Sequence, residues 1–317
     1  MPPLHGDSPP TQSDERSRLL HFERYSYSTQ HPNPHIHDPN TDAPMSQKAS
    51  SKVQQLKRHL LADLSIKYTD WILLLCFLIS GMMDAGAYNA YSCFVSMQTG
   101  NTIFAALGVS DLPVASPVLA WTKSVTSVFA FLTGSYVLSS LHRRAGERKR
   151  WVFVCNFAAQ AVCTGIAVWM VEKRFTSGSP ASPKEGASLG LLAKNGGWGF
   201  PRLDLVPIAL LSFQASGMIV ASRMLRHHGM PTIVLTSAYN DIMSDPGLFS
   251  GGLTGNVSRN RKLGGVVLYF LGAVCGGALA RSQFGFAGTL WTSIIIKLVI
   301  AGGWLAWREE TKEEREG

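Results

Sequence analysis

The sequence predicts an all-α fold: a polytopic bundle of transmembrane helices with six long spans, two short broken segments and an inverted internal repeat. Three observations support this prediction. Between Trp71 and Trp307 the chain is dominated by apolar runs, and six of them reach the roughly 20 residues that a helix needs to cross a hydrocarbon core. Two further apolar runs are too short to cross as straight helices. The order of long and short runs is the same in both halves of this region.

The amino-terminal region, residues 1–69, differs in composition from the rest of the chain. It is rich in Pro, Ser, Gln, His and charged residues and has no sustained apolar period, which predicts a disordered tail. Near 46–68, apolar residues such as Val53 and Leu56 alternate with basic residues such as Arg58. This pattern is typical of a basic amphipathic helix at a membrane surface. A solvated linker is the alternative.

The transmembrane domain is predicted to extend over 70–308. The long runs lie at about 71–91, 118–141, 151–171, 205–225, 263–281 and 287–307, and the short runs lie at 95–109 and 231–243. The domain divides into a first half at 70–171, a connector rich in Gly, Ser and Pro at 172–204 and a second half at 205–308, and it is followed by a charged tail at 309–317.

The two halves resemble each other. Residues 74–83 align without gaps on residues 210–219 and share the pattern Phe-x-x-Ser-Gly-Met. Each half has the order long, short, long, long. If the short runs do not cross, each half holds three crossings and the second half is inverted relative to the first. Inverted repeats with broken segments in matching positions are typical of transporters with a site near the membrane midplane.

The distribution of basic residues favours six crossings. Five of the eight residues in 143–150 are basic, and the positive-inside rule places such a short loop in the cytoplasm. Both termini are then cytoplasmic, and the plasma membrane is the favoured location. The net charge of +8 is not arranged as one stripe, so we expect the lipid bilayer and no nucleic acid as a partner. Self-association into a homo-oligomer stays open.

The first half carries the main candidate site. Asp84 lies within a membrane-length apolar run, where a carboxylate costs about 2.5–3.5 kcal/mol on insertion scales and usually has a partner and a function. Gln98, Thr99, Gly100 and Asn101 then interrupt the next apolar run. We expect Gly100 to let the backbone open there. The Thr hydroxyl and the Asn amide either bind a substrate or clasp two helices by hydrogen bonds.

The second half supplies further candidates for substrate binding. Thr236, Asn240 and Asp241 occupy the corresponding short run, although Gly and Asn are replaced there by Ser and Ala. Lys297 lies within the last span and is apolar on both sides. At 1.5 Å per residue, Asp84 is about 20 Å and Lys297 about 15 Å from the same interface. We therefore expect Lys297 to pair with Asp84 or Asp241, either as a static ion pair or as one with which a proton or the substrate competes.

Other polar and small residues have simpler interpretations. Asn156, Gln160 and Gln214 either line the same cavity or form structural hydrogen bonds. Gly272 and Gly276, and Ala273 with Gly277, form small-xxx-small patterns that predict close helix packing. No nucleophile, Walker or metal motif is recognisable. The sequence therefore predicts no enzyme, no catalytic residue, no metal site and no cofactor.

Residues 94–102, Phe-Val-Ser-Met-Gln-Thr-Gly-Asn-Thr, follow residues 80–84, Ser-Gly-Met-Met-Asp. This combination resembles the signature of the YoaK family of membrane proteins, and the resemblance covers about 68–307. The long polar tail and the Phe-Val-Ser-Met-Gln spelling are similar to its fungal branch. The resemblance implies six or seven spans, but no established substrate, reaction or cofactor.

The function that we expect from the repeat and the broken segments is secondary transport or permeation of an unidentified small molecule at a midplane site. A non-transporting scaffold or lipid-interacting protein is the alternative, in which the polar residues only clasp helices. A membrane-embedded enzyme ranks third.

Overall fold

The computed structural model describes residues 45–110, 120–173, 175–176, 202–227, 232, 235–249, 255–311 and 314. Contacts divide the chain into one unit at 1–53 and another at 54–317. The described residues form no β-sheet and contain nine α-helices. These are α1 (Met45–Leu61), α2 (Thr69–Tyr91), α3 (Gln98–Val109), α4 (Ala120–Ala145), α5 (Arg150–Glu172), α6 (Leu205–Met224), α7 (Leu235–Met243), α8 (Val257–Arg281) and α9 (Gly285–Ala306), with a 3₁₀ turn at Arg202–Asp204.

The predicted all-α membrane bundle is confirmed. Six helices, α2, α4, α5, α6, α8 and α9, are long and apolar enough to cross a membrane, as expected for a multi-pass protein whose backbone polar groups must be satisfied within each span. Among these six helices the largest shift from the predicted bounds is at α8, which begins six residues early at Val257. Asn256 explains this shift, because its side chain caps the helix by accepting the Arg259 N–H at 2.9 Å.

The predicted amphipathic helix near 46–68 is present as α1 but ends at Leu61. Residues 62–68 are not helical because their backbone pairs with other segments, as at Asp63 and Leu64. Residues 1–44 of the disordered tail predicted at 1–69, and most of the connector at 172–204, lie outside the described residues.

One end of the bundle joins three segments that are distant in sequence. The Leu64 N–H donates to the Arg148 carbonyl at 3.0 Å, and the Ser65 N–H donates to the Arg308 carbonyl at 3.1 Å. We call residues 62–66, 146–150 and 307–310 the basic end. Because the segments before α2 and after α4 meet there, α2 and α4 cross in opposite directions and α3 does not cross. The length of α3 agrees, since 12 residues span about 18 Å.

A buried arginine holds the basic end together. Arg150 is fully buried, and its guanidinium donates to the carbonyls of His59 at 2.5 Å and Trp307 at 2.7 Å. Lys149 adds an ion pair of 3.0 Å with Asp63. Part of the predicted topology signal at 143–150 therefore also has a structural role.

Helices α2 and α6 lie at the centre of the bundle, whereas α4 and α8 are mostly exposed on its outside. The most extensive contacts join α2 to α8, α4 to α6 and α5 to α9. Helices α2 and α8 approach each other closely because glycines of α8 face the backbone of α2. A Cβ at Gly272 would lie 2.1 Å from the Leu78 carbonyl oxygen, and one at Gly276 would lie 2.3 Å from that of Met82. The close packing predicted for Gly272 and Gly276 is thus confirmed, while Gly277 faces open space.

Candidate functional site

A re-entrant segment, residues 92–109, enters and leaves the bundle at the end opposite the basic end. After α2 stops, the chain turns inward over 92–97, and α3 begins inside the bundle. Gln98 at the start of α3 contacts Ser127, with 3.1 Å between Gln98 Oε1 and Ser127 Oγ. Gly108 near its end packs against Trp121. Since Trp121 precedes Ser127 by six residues on α4, α3 rises about 9 Å toward the end of the bundle.

The predicted opening of the backbone at Gly100 is wrong, because the non-helical residues are 92–97 and Gly100 lies within α3. The small size of Gly100 still matters, since a Cβ there would lie 3.0 Å from the ring of Phe94. Thr99 is exposed. The polar residues 98–101 therefore form the first turn of a half-length helix, and the glycine allows the preceding turn to pack against it.

Asp84 fixes the turn of the re-entrant segment to α2 and α8. Its Oδ1 accepts the backbone N–H groups of Val95 at 2.9 Å and Ser96 at 2.8 Å. Its Oδ2 accepts hydrogen bonds from the Ser96 hydroxyl and, at 2.9 Å, from the Tyr269 hydroxyl of α8. Asp84 is almost completely buried. Four neutral donors thus satisfy a carboxylate that would otherwise be costly within the membrane.

Asn101 holds the same turn from the other side. Its Oδ1 accepts the Phe94 N–H at 3.1 Å, and its Nδ2 lies 2.7 Å from the Phe94 carbonyl and 2.9 Å from Ser127 Oγ. The Gln98 amide adds a hydrogen bond of 3.0 Å to the Val95 carbonyl. Asn101 therefore replaces the hydrogen bonds that the non-helical backbone lacks, as expected for irregular structure at membrane depth.

The hydroxyl of Ser127 extends this network into the second half. Its oxygen lies 2.8 Å from that of Ser212 on α6, and both side chains are fully buried. The re-entrant segment is thus linked to α2, α4, α6 and α8 through Asp84, Asn101 and Ser127.

The second-half candidates are not part of this network. Thr236 and Asn240 on α7 are exposed. Asp241 forms an ion pair of 3.1 Å with Lys262. Within the part of the chain that the structure describes, none of the three contacts Asp84 or Lys297.

The predicted ion pair of Lys297 is wrong for both acids. The Lys297 ammonium on α9 donates instead to Gln214 Oε1 at 2.5 Å and to Thr164 Oγ1 at 3.2 Å. No carboxylate lies within ion-pair distance of it among the described residues. Backbone and hydroxyl donors already satisfy Asp84, and Lys262 forms an ion pair with Asp241. Neither acid therefore needs Lys297 as a partner.

Lys297 belongs to a second buried polar cluster, between α5, α6 and α9. The members that the sequence analysis noted are Asn156, Gln160 and Gln214. Asn156 donates to the Gly217 carbonyl at 3.0 Å, and Gln160 donates to Asn156 at 3.1 Å. These amides form structural hydrogen bonds around the lysine.

The sequence analysis missed several residues of both clusters. They are Ser96, Ser127, Ser212 and Tyr269 near the re-entrant segment, and Thr164, Thr289 and Ser293 near Lys297. A signal was present for the last two, because Thr289, Ser293 and Lys297 recur at intervals of four residues and therefore share one helix face.

An open cleft of about 730 Å³ lies between α2 and α8, lined by Ala85, Tyr88, Asn89 and Arg281 among others. Asp84 and Lys297 do not line it. Because both side chains are buried, the two polar clusters are closed to the outside in this conformation.

Comparison with known proteins gives one match. A protein-family model described as "Protein of unknown function (DUF1275)" matches residues 72–303, which include both polar clusters and all but the outermost three residues of α2 and of α9 among the six spanning helices of the described residues. No curated protein and no solved structure matches the chain significantly.

Proposed function

The chain belongs to the DUF1275 family, whose function is unknown, and on that premise we propose that it is a secondary transporter or permease for a small solute rather than an enzyme. The observation that carries this proposal is the re-entrant segment. Non-helical backbone at membrane depth is tolerated where protein or a water-filled cavity satisfies it. In secondary transporters, half-length helices of this kind converge on the binding site.

The packing of the helices supports an inverted repeat. Exchanging the halves replaces α2 with α6, α3 with α7, α4 with α8 and α5 with α9. This exchange converts the contact of α2 with α8 into that of α6 with α4, and it leaves the contact of α5 with α9 unchanged. The short helices agree, since α3 packs on α4 as α7 packs on α8. Two interlocked halves of opposite orientation favour alternating access by rocking of one half against the other.

The orientation follows from charge. We place the basic end in the cytoplasm because short cytoplasmic loops concentrate Lys and Arg. Both α1 and the segment after α9 then lie on the cytoplasmic side, with the plasma membrane as the favoured location. Within the family, the spelling of residues 94–98 and the polar amino-terminal region favour the fungal type of YoaK protein.

The alternative is a non-transporting scaffold, and one observation favours it. Asp84 and Asn101 find their partners within the protein, as a helix clasp requires. The two functions differ in whether the protein moves a solute.

Flux measurements in liposomes test the proposal. Purified protein is reconstituted, and the uptake of a panel of amino acids, organic acids, sugars and amines is compared with that of protein-free liposomes. We expect at least one class to exchange through the wild-type protein and through Thr99→Ala, whose side chain is exposed. Ser96→Ala, which removes one hydrogen bond of the turn, should change the rate of that exchange. Folded protein that moves no member of the panel would contradict transport and favour the scaffold.

A further inference from the structure

Lys297 is a buried lysine, and no carboxylate pairs with it among the described residues. Its side chain is fully buried, and the two acceptors around its ammonium, Gln214 Oε1 and Thr164 Oγ1, are neutral. An ammonium has three N–H donors, and the third has no acceptor among the described residues. Burial of a charge is strongly unfavourable unless it is paired. Because no carboxylate lies within ion-pair distance among the described residues, we look outside them for the counter-charge of Lys297.

Two hydroxyl groups on the same face of α9 as Lys297 also lack partners among the described residues. Ser293 and Thr289 lie one and two turns before Lys297 on the same face of α9, and both are fully buried. Neither oxygen has a hydrogen-bond partner in the part of the chain that the structure describes. Long side chains on a helix lean toward its amino terminus, so the Lys297 ammonium extends toward Ser293.

The neighbouring residues show that these free hydroxyls are unusual. Hydroxyls within helices commonly bond to the carbonyl four residues earlier. Thr292 on α9 does so with Gly288 at 2.9 Å, and Thr164 on α5 does so with Gln160 at 2.8 Å. Ser293 and Thr289 make no such bond. Unpartnered buried polar groups are rare and need an explanation.

We propose that the solute carries a carboxylate, whose oxygens bind the Lys297 ammonium and the hydroxyls of Ser293 and Thr289. This inference rests on the proposed transport function and names its class of solute. The ammonium only donates and each hydroxyl is able to donate, so all three groups can bind an acceptor-only carboxylate. A single positive charge matches a monocarboxylate better than a divalent sulfate or phosphate. Because Lys297, Ser293 and Thr289 are fully buried, a carboxylate reaches them only when the bundle opens.

Binding is tested first with purified full-length protein. Unfolding temperature is measured against acetate, lactate and benzoate, with chloride, sulfate, phosphate and acetamide at matched ionic strength. We expect the carboxylates to raise it in a saturable way and the other probes to leave it unchanged. The double variant Thr289→Val with Ser293→Ala should be as stable as the wild type without carboxylate, because it removes no hydrogen bond. Its apparent affinity for the carboxylate should fall about tenfold or more, as expected when a hydrogen bond to a charged group is lost.

Two lysine variants distinguish the effect of the charge at Lys297 from the effect of the net charge of the protein. Lys297→Met should abolish the carboxylate response. Lys262→Met removes an equal charge from the ion pair with Asp241 and should keep the response. A response that survives in Lys297→Met, or a saturable effect of sulfate or phosphate alone, overturns the carboxylate assignment. So does the absence of any carboxylate effect on wild-type protein.

Flux distinguishes failure of this inference from failure of the proposed function. Transport restricted to neutral or cationic solutes overturns the carboxylate and leaves the transporter in place. Carboxylate binding that requires Lys297, without flux of any solute, supports the site and contradicts transport. Carboxylate uptake that is lost in Lys297→Met and weakened in the hydroxyl double variant supports both.

Discussion

Asp84 and Tyr269 lie on opposite halves of the sequence, yet the Tyr269 hydroxyl donates a hydrogen bond of 2.9 Å to the Asp84 carboxylate. The same hydroxyl lies 3.4 Å from the sulfur of Met97, just before the start of α3. One buried contact therefore joins α2, α8 and the inner end of the re-entrant segment. A movement of α8 relative to α2 must break this hydrogen bond or carry the re-entrant segment with it.

Tyr269→Phe should destabilise the folded protein without changing its shape. It removes one of four donors to a buried carboxylate, and hydrogen bonds to charged groups contribute about 1.5–3 kcal/mol. We expect a loss in this range in the free energy of unfolding measured in lipid bicelles. Tyr136→Phe on α4 is the matched control, because Tyr136 is 70% exposed on the outside of the bundle. Equal stability of the two variants would contradict the contact.

Asn101→Ala should lower stability rather than act on a ligand alone. The change leaves the Phe94 N–H without its acceptor, which costs about 1–3 kcal/mol, while the Phe94 carbonyl keeps the Ser127 hydroxyl as a donor. Thr99→Ala, two residues away and exposed, should be nearly neutral. Unfolding and yield after detergent extraction provide the measurements. Full stability of Asn101→Ala with lost flux would instead assign Asn101 to the solute.

Gly272→Val should weaken the contact of α2 with α8. Its new Cβ would meet the Leu78 carbonyl at 2.1 Å, and overpacking typically costs about 1–3 kcal/mol or more where backbone must move. Gly277→Val is the control, since nothing lies within 4 Å of a Cβ at that position. Thermal unfolding of the two variants in parallel gives the comparison. A similar loss in both would point to the introduced β-branched residue rather than to helix contact.

Glycosylation should report the orientation. Residues 256–258, Asn-Val-Ser, form an acceptor site by sequence. We expect it to remain unmodified, because it lies on the side that we assign to the cytoplasm. An acceptor engineered into 176–198 should be modified, and one in 143–150 should not. Glycan on both the 143–150 acceptor and Asn256 would reverse the assigned orientation. The two segments share the basic end, since Arg261 near the start of α8 pairs at 3.0 Å with Asp70 at the start of α2.

His227 should make stability depend on pH. Burial lowers the pKa of His227, and the nearby Arg261 lowers it further. The unfolded chain then binds a proton more readily than the folded chain. The stabilisation is therefore fully present above about pH 6.5, the ordinary pKa of His, and is lost as pH falls below it. His227→Gln should reduce the slope of unfolding free energy by up to about 1.4 kcal/mol per pH unit in that window. An unchanged slope would exclude His227 as its source.

The helices could be predicted from run length, because a membrane span must satisfy its own backbone and leaves little choice of structure. The first span shows this, predicted at 71–91 and found at Thr69–Tyr91. The short helices α3 and α7 could be predicted in the same way, because their apolar runs are too short to cross as straight helices. The prediction of six crossings came from the basic residues at 143–150, and the contact of Leu64 with Arg148 agrees with it.

The partners of the buried charges could not be predicted in this way. Charge complementarity suggested Lys297 for Asp84, but backbone N–H groups satisfy a carboxylate equally well when a turn presents them. The conformation of residues 92–97 places the N–H groups of Val95 and Ser96 on Asp84. That conformation depends on packing rather than on residue type. Asp84, Asn101 and Lys297 were therefore identified correctly as buried, but their partners were not. Thr99, Thr236 and Asn240 are exposed instead.

The pairing of α2 with α8 has a consequence for synthesis of the chain. Val257, where α8 begins, follows Tyr91, where α2 ends, by 166 residues. At roughly 5–20 residues per second, the ribosome needs about 8–33 seconds to make them. During that interval Asp84 has the nearby Ser96 as a donor but not Tyr269. Substitutions in this early turn should thus act on insertion and quality control of the nascent chain, before any effect on the finished protein is felt.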